Sequence, residues 1–200
     1  FVEGETVLDR IMREGRMSLL DGLQTALHVS EALDHGWQEH RLLHGDIKPA
    51  NIMVNTHGET KLADFGLAKV AGIDEIEGAV MLTPLYASPE TIKGYRPVDD
   101  CRPDIYAFGA TVYHMLCGTP PFPGEDSNEV MRLQVEAELV PLHQRAPDIP
   151  RHVSDFVSSL LCKDPERRMA SWSQVTAGLR QAMGELTRKG AMAVAEVSTQ

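Results

Sequence analysis

His44-Gly45-Asp46-Ile47-Lys48-Pro49-Ala50-Asn51, followed by Ala63-Asp64-Phe65-Gly66, is the stretch on which the fold of this chain turns. Leu42 and Leu43 before it and Ile52, Met53 and Val54 after it are apolar, which puts its polar groups at the edge of a core. Polar side chains in that position need partners or a ligand. Asn51 falls five positions after Asp46 and Asp64 eighteen after it, with the turn-rich Asn55-Thr56-His57-Gly58 between them. Three side-chain oxygens and one cation are thus gathered in about one hairpin's worth of chain.

Phosphoryl transfer to a hydroxyl asks for this set. It needs a carboxylate to orient the hydroxyl and take up its proton, hard oxygen ligands for one or two magnesium ions, and a cation near the moving group. In spacing and residue type the stretch resembles the catalytic loop and magnesium-binding motif of the protein kinases. The resemblance implies Asp46 as base, Lys48 as the cation, Asn51 and Asp64 as Mg2+ ligands, and ATP as phosphoryl donor. Lys48-Pro49 after the Asp is similar to the Ser/Thr branch, whose acceptors are protein hydroxyls.

Gly45 departs from the pattern, since the family usually has Arg there. In many members that Arg receives a phosphate carried by the activation segment. From Gly66 through Leu82 this chain has no Ser, Thr or Tyr, and carries Asp74, Glu75 and Glu77 instead. The expectation is a kinase not switched by phosphorylation in that segment. His-Gly-Asp is also the usual spelling in small-molecule kinases of the aminoglycoside and choline type, which stand as an alternative. A pseudokinase or scaffold that binds without transfer is a second alternative.

The first residues, Phe1 to Leu8, look like a kinase hinge running into the first large-lobe helix. Val2 and Met53 are then expected against adenine, Met53 as its floor or simply as core of the ribbon. The glycine-rich phosphate loop, the strand Lys and its helix Glu belong upstream of a hinge, so a longer parent is expected and no turnover from this chain alone. Lys61 lies on the strand just before Asp64 and cannot replace that Lys. The fold class implied is α+β, predominantly helical, a protein-kinase-like large lobe over 1–186 with 187–200 as a tail or the start of a linker.

Later motifs extend the resemblance. Leu82-Thr83-Pro84-Leu85-Tyr86-Ala87-Ser88-Pro89-Glu90 is similar to the end of an activation segment, with Ser88 where Ala is usual and Leu82 where Gly is common. Family likeness implies that Thr83 bridges Asp46 and Lys48, that Glu90 pairs with Arg168, and that Asp104 bonds the backbone of the catalytic loop. Ser18 to Leu42 carries Leu19, Leu20, Leu23, Leu27, Leu33 and Trp37 at mostly helical spacing. Asp104 to Gly118 is nearly apolar throughout, as a helix buried on all sides would be. Thr119-Pro120-Pro121-Phe122-Pro123-Gly124 behind it is very like bacterial relatives of the eukaryotic Ser/Thr kinases. Further helices are expected at about 127–137, 151–161 and 171–186.

Composition bounds the rest. Two hundred residues, 42% hydrophobic and 24% charged, suffice for one well-buried domain, and no run is long enough to span a bilayer. A formal charge of -10 argues against a nucleic-acid partner. Cys101, Cys117 and Cys162 are odd in number and widely spaced, as reduced thiols of a cytoplasmic protein are. The eight histidines show no metal-ligand spacing, and oligomeric state is left open.

Overall fold

The computed structural model describes residues 4–63, 69–70, 83–95 and 99–197, and the backbone alone for 69–70 and 189–197. Strand β1 (Glu5–Thr6) runs directly into helix α1 (Val7–Glu14). Thr6 starts that helix with a reciprocal cap: its hydroxyl accepts from the Asp9 amide at 3.0 Å, and the Asp9 carboxylate accepts from the Thr6 amide at 3.3 Å. Two amides that a helix start leaves unpaired are satisfied in this way.

Helix α2 (Leu19–His40) begins at Ser18, whose hydroxyl accepts from the Asp21 amide at 3.1 Å. It buries Leu23, Ala26, Val29, Leu33 and Trp37, the face its apolar periodicity predicts. Leu20 does not belong to that face. It is 64% exposed, on the first turn beside exposed Ser18 and Asp21. Arg41 closes the helix in the left-handed region at φ 50°, its amide bonding Trp37 O at 2.9 Å, and turns the chain into β2 (Leu42–Leu43).

After a single 3-10 turn at Pro49–Asn51 come β3 (Ile52–Val54), β4 (Thr60–Leu62) and β5 (Lys69–Val70). The antiparallel ribbon read from the sequence is present, with Met53 opposite Lys61, and β1 adds itself to the far edge of β3. Strand β5 pairs separately with β2, Leu42 opposite Val70 and Leu43 opposite Lys69. Neither β1 nor β5 has a period of its own, being two residues each.

Helix α3 (Pro89–Ile92) is capped by Ser88, whose hydroxyl accepts from the Thr91 amide at 3.3 Å. An Ala at 88 could not make this bond. Helix α4 (Arg102–Cys117) then passes through the core with Ile105, Tyr106, Phe108, Val112, Tyr113 and Leu116 all buried. Gly109 lets α7 (Arg151–Leu160) approach it, since a Cβ there would stand 2.7 Å from that of Leu160. Phe108 meets Trp172 edge-on, ring centroids 5.5 Å apart.

Helices α5 (Ser127–Glu136) and α6 (Leu142–Arg145) lie between α4 and α7 in the chain. Helix α8 (Trp172–Val197) packs along α2, where Thr176 Oγ1 donates to Ser30 Oγ at 3.1 Å. Its backbone stays helical well beyond Leu186, although the small and polar residues of 187–197 carry no apolar period. Among the described residues no helix is long and apolar enough to cross a membrane.

Candidate active site

The loop from His44 to Asn51 is held from beneath by helix α4. Asp104 sits in its first turn, buried, and its two carboxylate oxygens accept from the His44 amide at 2.7 Å and the Gly45 amide at 3.0 Å. Burial pushes the Asp104 carboxyl up from its ordinary value, while the two amides favour the ionised form. Thr111, two turns further on, donates to Ile47 O at 3.3 Å. His44 is buried as well. Its Nδ1 lies 3.3 Å from the Asp46 amide and its Nε2 3.3 Å from Ala63 O, so the tautomer that satisfies both carries its proton on Nε2.

Gly45 has φ 77°, a region where side chains with a Cβ are strained. The residue that replaces the usual Arg is therefore also the one best suited to this bend.

On that frame four polar side chains converge. Asp46 Oδ2 is 2.6 Å from Lys48 Nζ and accepts from Asn51 Nδ2 at 3.0 Å, while Oδ1 accepts from Thr83 Oγ1 at 2.9 Å. Lys48 Nζ also donates to Thr83 Oγ1 at 3.1 Å, closing a triangle. Asn51 Nδ2 has a second acceptor, Asp46 O, at 2.9 Å. Burial alone would raise the Asp46 carboxyl, but the bonds from Lys48, Thr83 and Asn51 outweigh it and hold the group below the ordinary carboxylate range. At neutral pH it is an anion.

Both bonds of the Asn51 amide nitrogen fix which way that amide faces, and so leave its oxygen end for a cation. An amide oxygen is a hard donor of the kind that Mg2+ takes. In that respect Asn51 fits the metal. Asp64, its expected partner, lies outside the described residues, as does Val2. Met53 is half-buried on β3, and Lys61 is exposed on β4.

The far end of the segment is anchored by ions. Glu90 accepts from Arg168 Nη1 at 2.6 Å and Nη2 at 3.1 Å, and both side chains are buried. Arg168 also donates to Cys162 O at 2.9 Å and Arg102 O at 2.7 Å, and its guanidinium lies over the Tyr106 ring. Between Thr83 and Glu90, two contacts had no sequence signal. Tyr86 OH pairs with His114 Nδ1 at 2.9 Å, and Gln134 reaches the backbone of Pro84 and Leu85.

A carboxylate and a cation on a loop tied to a buried helix thus meet a hydroxyl from the segment at Thr83, and the chain belongs to the protein kinase domain family, which it matches over residues 1–179. Among its relatives, a probable serine/threonine-protein kinase PknB of Bifidobacterium longum is 34% identical over 181 residues, 87% of this chain and 25% of that protein. The serine/threonine-protein kinase PknB of Mycolicibacterium smegmatis is 30% identical, covering 90% of this chain and 29% of its own length. PknA of Corynebacterium glutamicum is 33% identical, covering 88% and 36%. The chain thus spans roughly a quarter to a third of these proteins.

Proposed function

We propose that this lobe serves transfer of the ATP γ-phosphoryl group to Ser or Thr hydroxyls of protein substrates. The observation that carries the proposal is the Asp46–Lys48–Thr83 triangle, in which one anion, one cation and one hydroxyl are already in register. Asp46 orients the incoming hydroxyl and takes up its proton as the oxygen attacks. Lys48 sets positive charge beside the transferring group, and Thr83 holds both in place. Asn51 and Asp64 are the residues that would hold magnesium, which when bound neutralises charge on the phosphates. Val2 and Met53 are assigned to the adenine side.

Residues 1–186 act as the large lobe and 187–200 as a tail or the start of a linker. The nucleotide's phosphates need a second grip, so the isolated 200-residue chain is expected to show no turnover. Gly45 and a segment from 66 to 82 lacking Ser, Thr and Tyr further assign control to something other than phosphorylation there. The setting assigned is cytoplasmic, with or without a membrane tether outside this chain, with protein acceptors and no nucleic acid.

Labelled ATP offered to the intact protein with protein acceptors, aminoglycosides and choline side by side tests the assignment. Label on protein alone, lost in Asp46→Asn, is the expected result. Label on a small molecule, or none with nucleotide still bound, overturns it. A phosphate on Thr83, the first hydroxyl after that stretch, whose removal by phosphatase destroys activity would remove the statement about control.

A further inference from the structure

We infer that Gln134 is a positioning residue for the acceptor side of the reaction, holding the backbone after Thr83 so that the Thr83 hydroxyl meets Asp46. The inference rests on the kinase assignment above and concerns how one side of that site is kept in place. Gln134 is fully buried on α5, fifty positions from the segment it touches. Its Nε2 donates to Pro84 O at 3.2 Å and Leu85 O at 2.8 Å. Two carbonyls cannot be satisfied by an amide oxygen, so the side chain can face only one way. Its Oε1 then accepts from Tyr106 OH at 2.6 Å, and Tyr106 is itself fully buried on α4.

All three polar contacts of this amide are thereby accounted for, the one to Tyr106 buried and the two to the loop part-buried. The helix that bears it is held too. Lys163 Nζ donates to Leu133 O at 3.1 Å and to Gln134 O, over the face of Phe122 at 4.1 Å. Asp126 caps the other end by accepting from the Glu129 amide at 2.9 Å. Gln134 is therefore a fixed point rather than an adaptable one. Pro84 and Leu85 directly follow Thr83, whose hydroxyl contacts Asp46 at 2.9 Å and Lys48 at 3.1 Å. A loop released at 84 and 85 loses that hydroxyl's register, while Asp46, Lys48 and Asn51 keep theirs through Asp104 and Thr111. The defect should fall on the acceptor and spare the nucleotide.

The two halves of the amide can be separated. Gln134→Glu keeps an acceptor for Tyr106 and sets oxygens against both carbonyls, whereas Tyr106→Phe removes the other bond and leaves the loop contacts whole. In the intact protein, with MgATP and myelin basic protein as acceptor, Gln134→Glu should raise the acceptor KM or lower kcat/KM by at least about tenfold. Its KM for ATP should stay within about twofold, and Tyr106→Phe should stay within about twofold on both substrates. Gln134→Met, which removes the donor and the acceptor without introducing a charge, should show the same acceptor-only defect and serves if the Glu variant does not fold. Equal losses in the Gln134 and Tyr106 variants, a defect shared by ATP and acceptor, or no defect overturns the inference alone. A wild-type protein that phosphorylates no acceptor overturns the kinase assignment and this inference with it.

Discussion

Asp46 and Glu90 are both carboxylates gripped by a basic side chain at 2.6 Å, yet they sit in opposite kinds of surroundings. Around Asp46 the partners are a short list of side chains that can exchange: Lys48, Asn51 and Thr83, with 12% of the Asp46 side chain still open to solvent. The Glu90 side chain is almost as open, at 10%, but its partner is a guanidinium with no exposed surface, spent on three elements at once. The first arrangement keeps an anion available. The second uses an anion as a rivet, and removing either member strands a charge with little or no access to water.

The widest gap between the two should appear in activity. Asp46→Asn in the intact protein should lower transfer by about a hundred to ten thousand-fold, the usual worth of a positioned general base. Nucleotide binding and the melting temperature should change little, and a large loss of stability would erase the distinction drawn here. Arg168→Ala should do the reverse and cost about 3–5 kcal/mol of stability because Glu90 is left unpaired. Arg167→Ala next to it should stay within about 0.5 kcal/mol, as exposed substitutions do. Urea midpoints of the two Arg variants compare them directly, and equal midpoints would break the contrast.

Between the two regions lies Tyr86, bonded to His114. Burial holds the His114 ring below its ordinary value of 6.5. The unfolded chain then takes up a proton near pH 6.5 that the folded one refuses, so this group lowers stability as pH falls through that value. The slope it adds is at most about 1.4 kcal/mol per pH unit. His114→Gln should flatten the loss between about pH 6.5 and 5, read as urea midpoints. An unchanged profile would place the titrating group elsewhere. The smallest effect belongs to Gly45→Ala, expected to cost about 1 kcal/mol because φ 77° is strained for a residue with a Cβ. A variant as stable as wild type would mean the loop can bend otherwise.

What the amino-acid sequence disclosed follows the same division. Asp46, Lys48 and Asn51 lie within six residues, so spacing alone brings them close, and motif likeness extended the set to Thr83, Asp104 and the Glu90–Arg168 pair. The buried helix over 102–117 was legible because a run apolar on every face has few other places to go. Gln134 was not legible: helix α5 is mostly polar, and nothing in Leu133-Gln134-Val135 distinguishes a buried amide from a solvated one. Tyr86 with His114 is hidden for the same reason, since the two are 28 positions apart and either alone reads as ordinary core. Strands β1 and β5 exist only through their partners, and two residues cannot display a period of two. Leu20 was placed wrongly because it stands about 100° round the helix from Leu19, off the stripe that Leu23, Leu33 and Trp37 form, and apolar character alone does not assign a face.

The grip of Asp104 on the His44 and Gly45 amides has a kinetic counterpart. The His44 amide proton, on a fully buried residue, cannot reach water until the first turn of α4 lets go, and α4 is the innermost of the described helices. Deuterium should therefore enter at His44 as slowly as it enters the middle of α4, and far more slowly than at exposed Gly45 beside it or at His57 in the exposed turn. The loop bearing Asp46 would then open only when the lobe as a whole does.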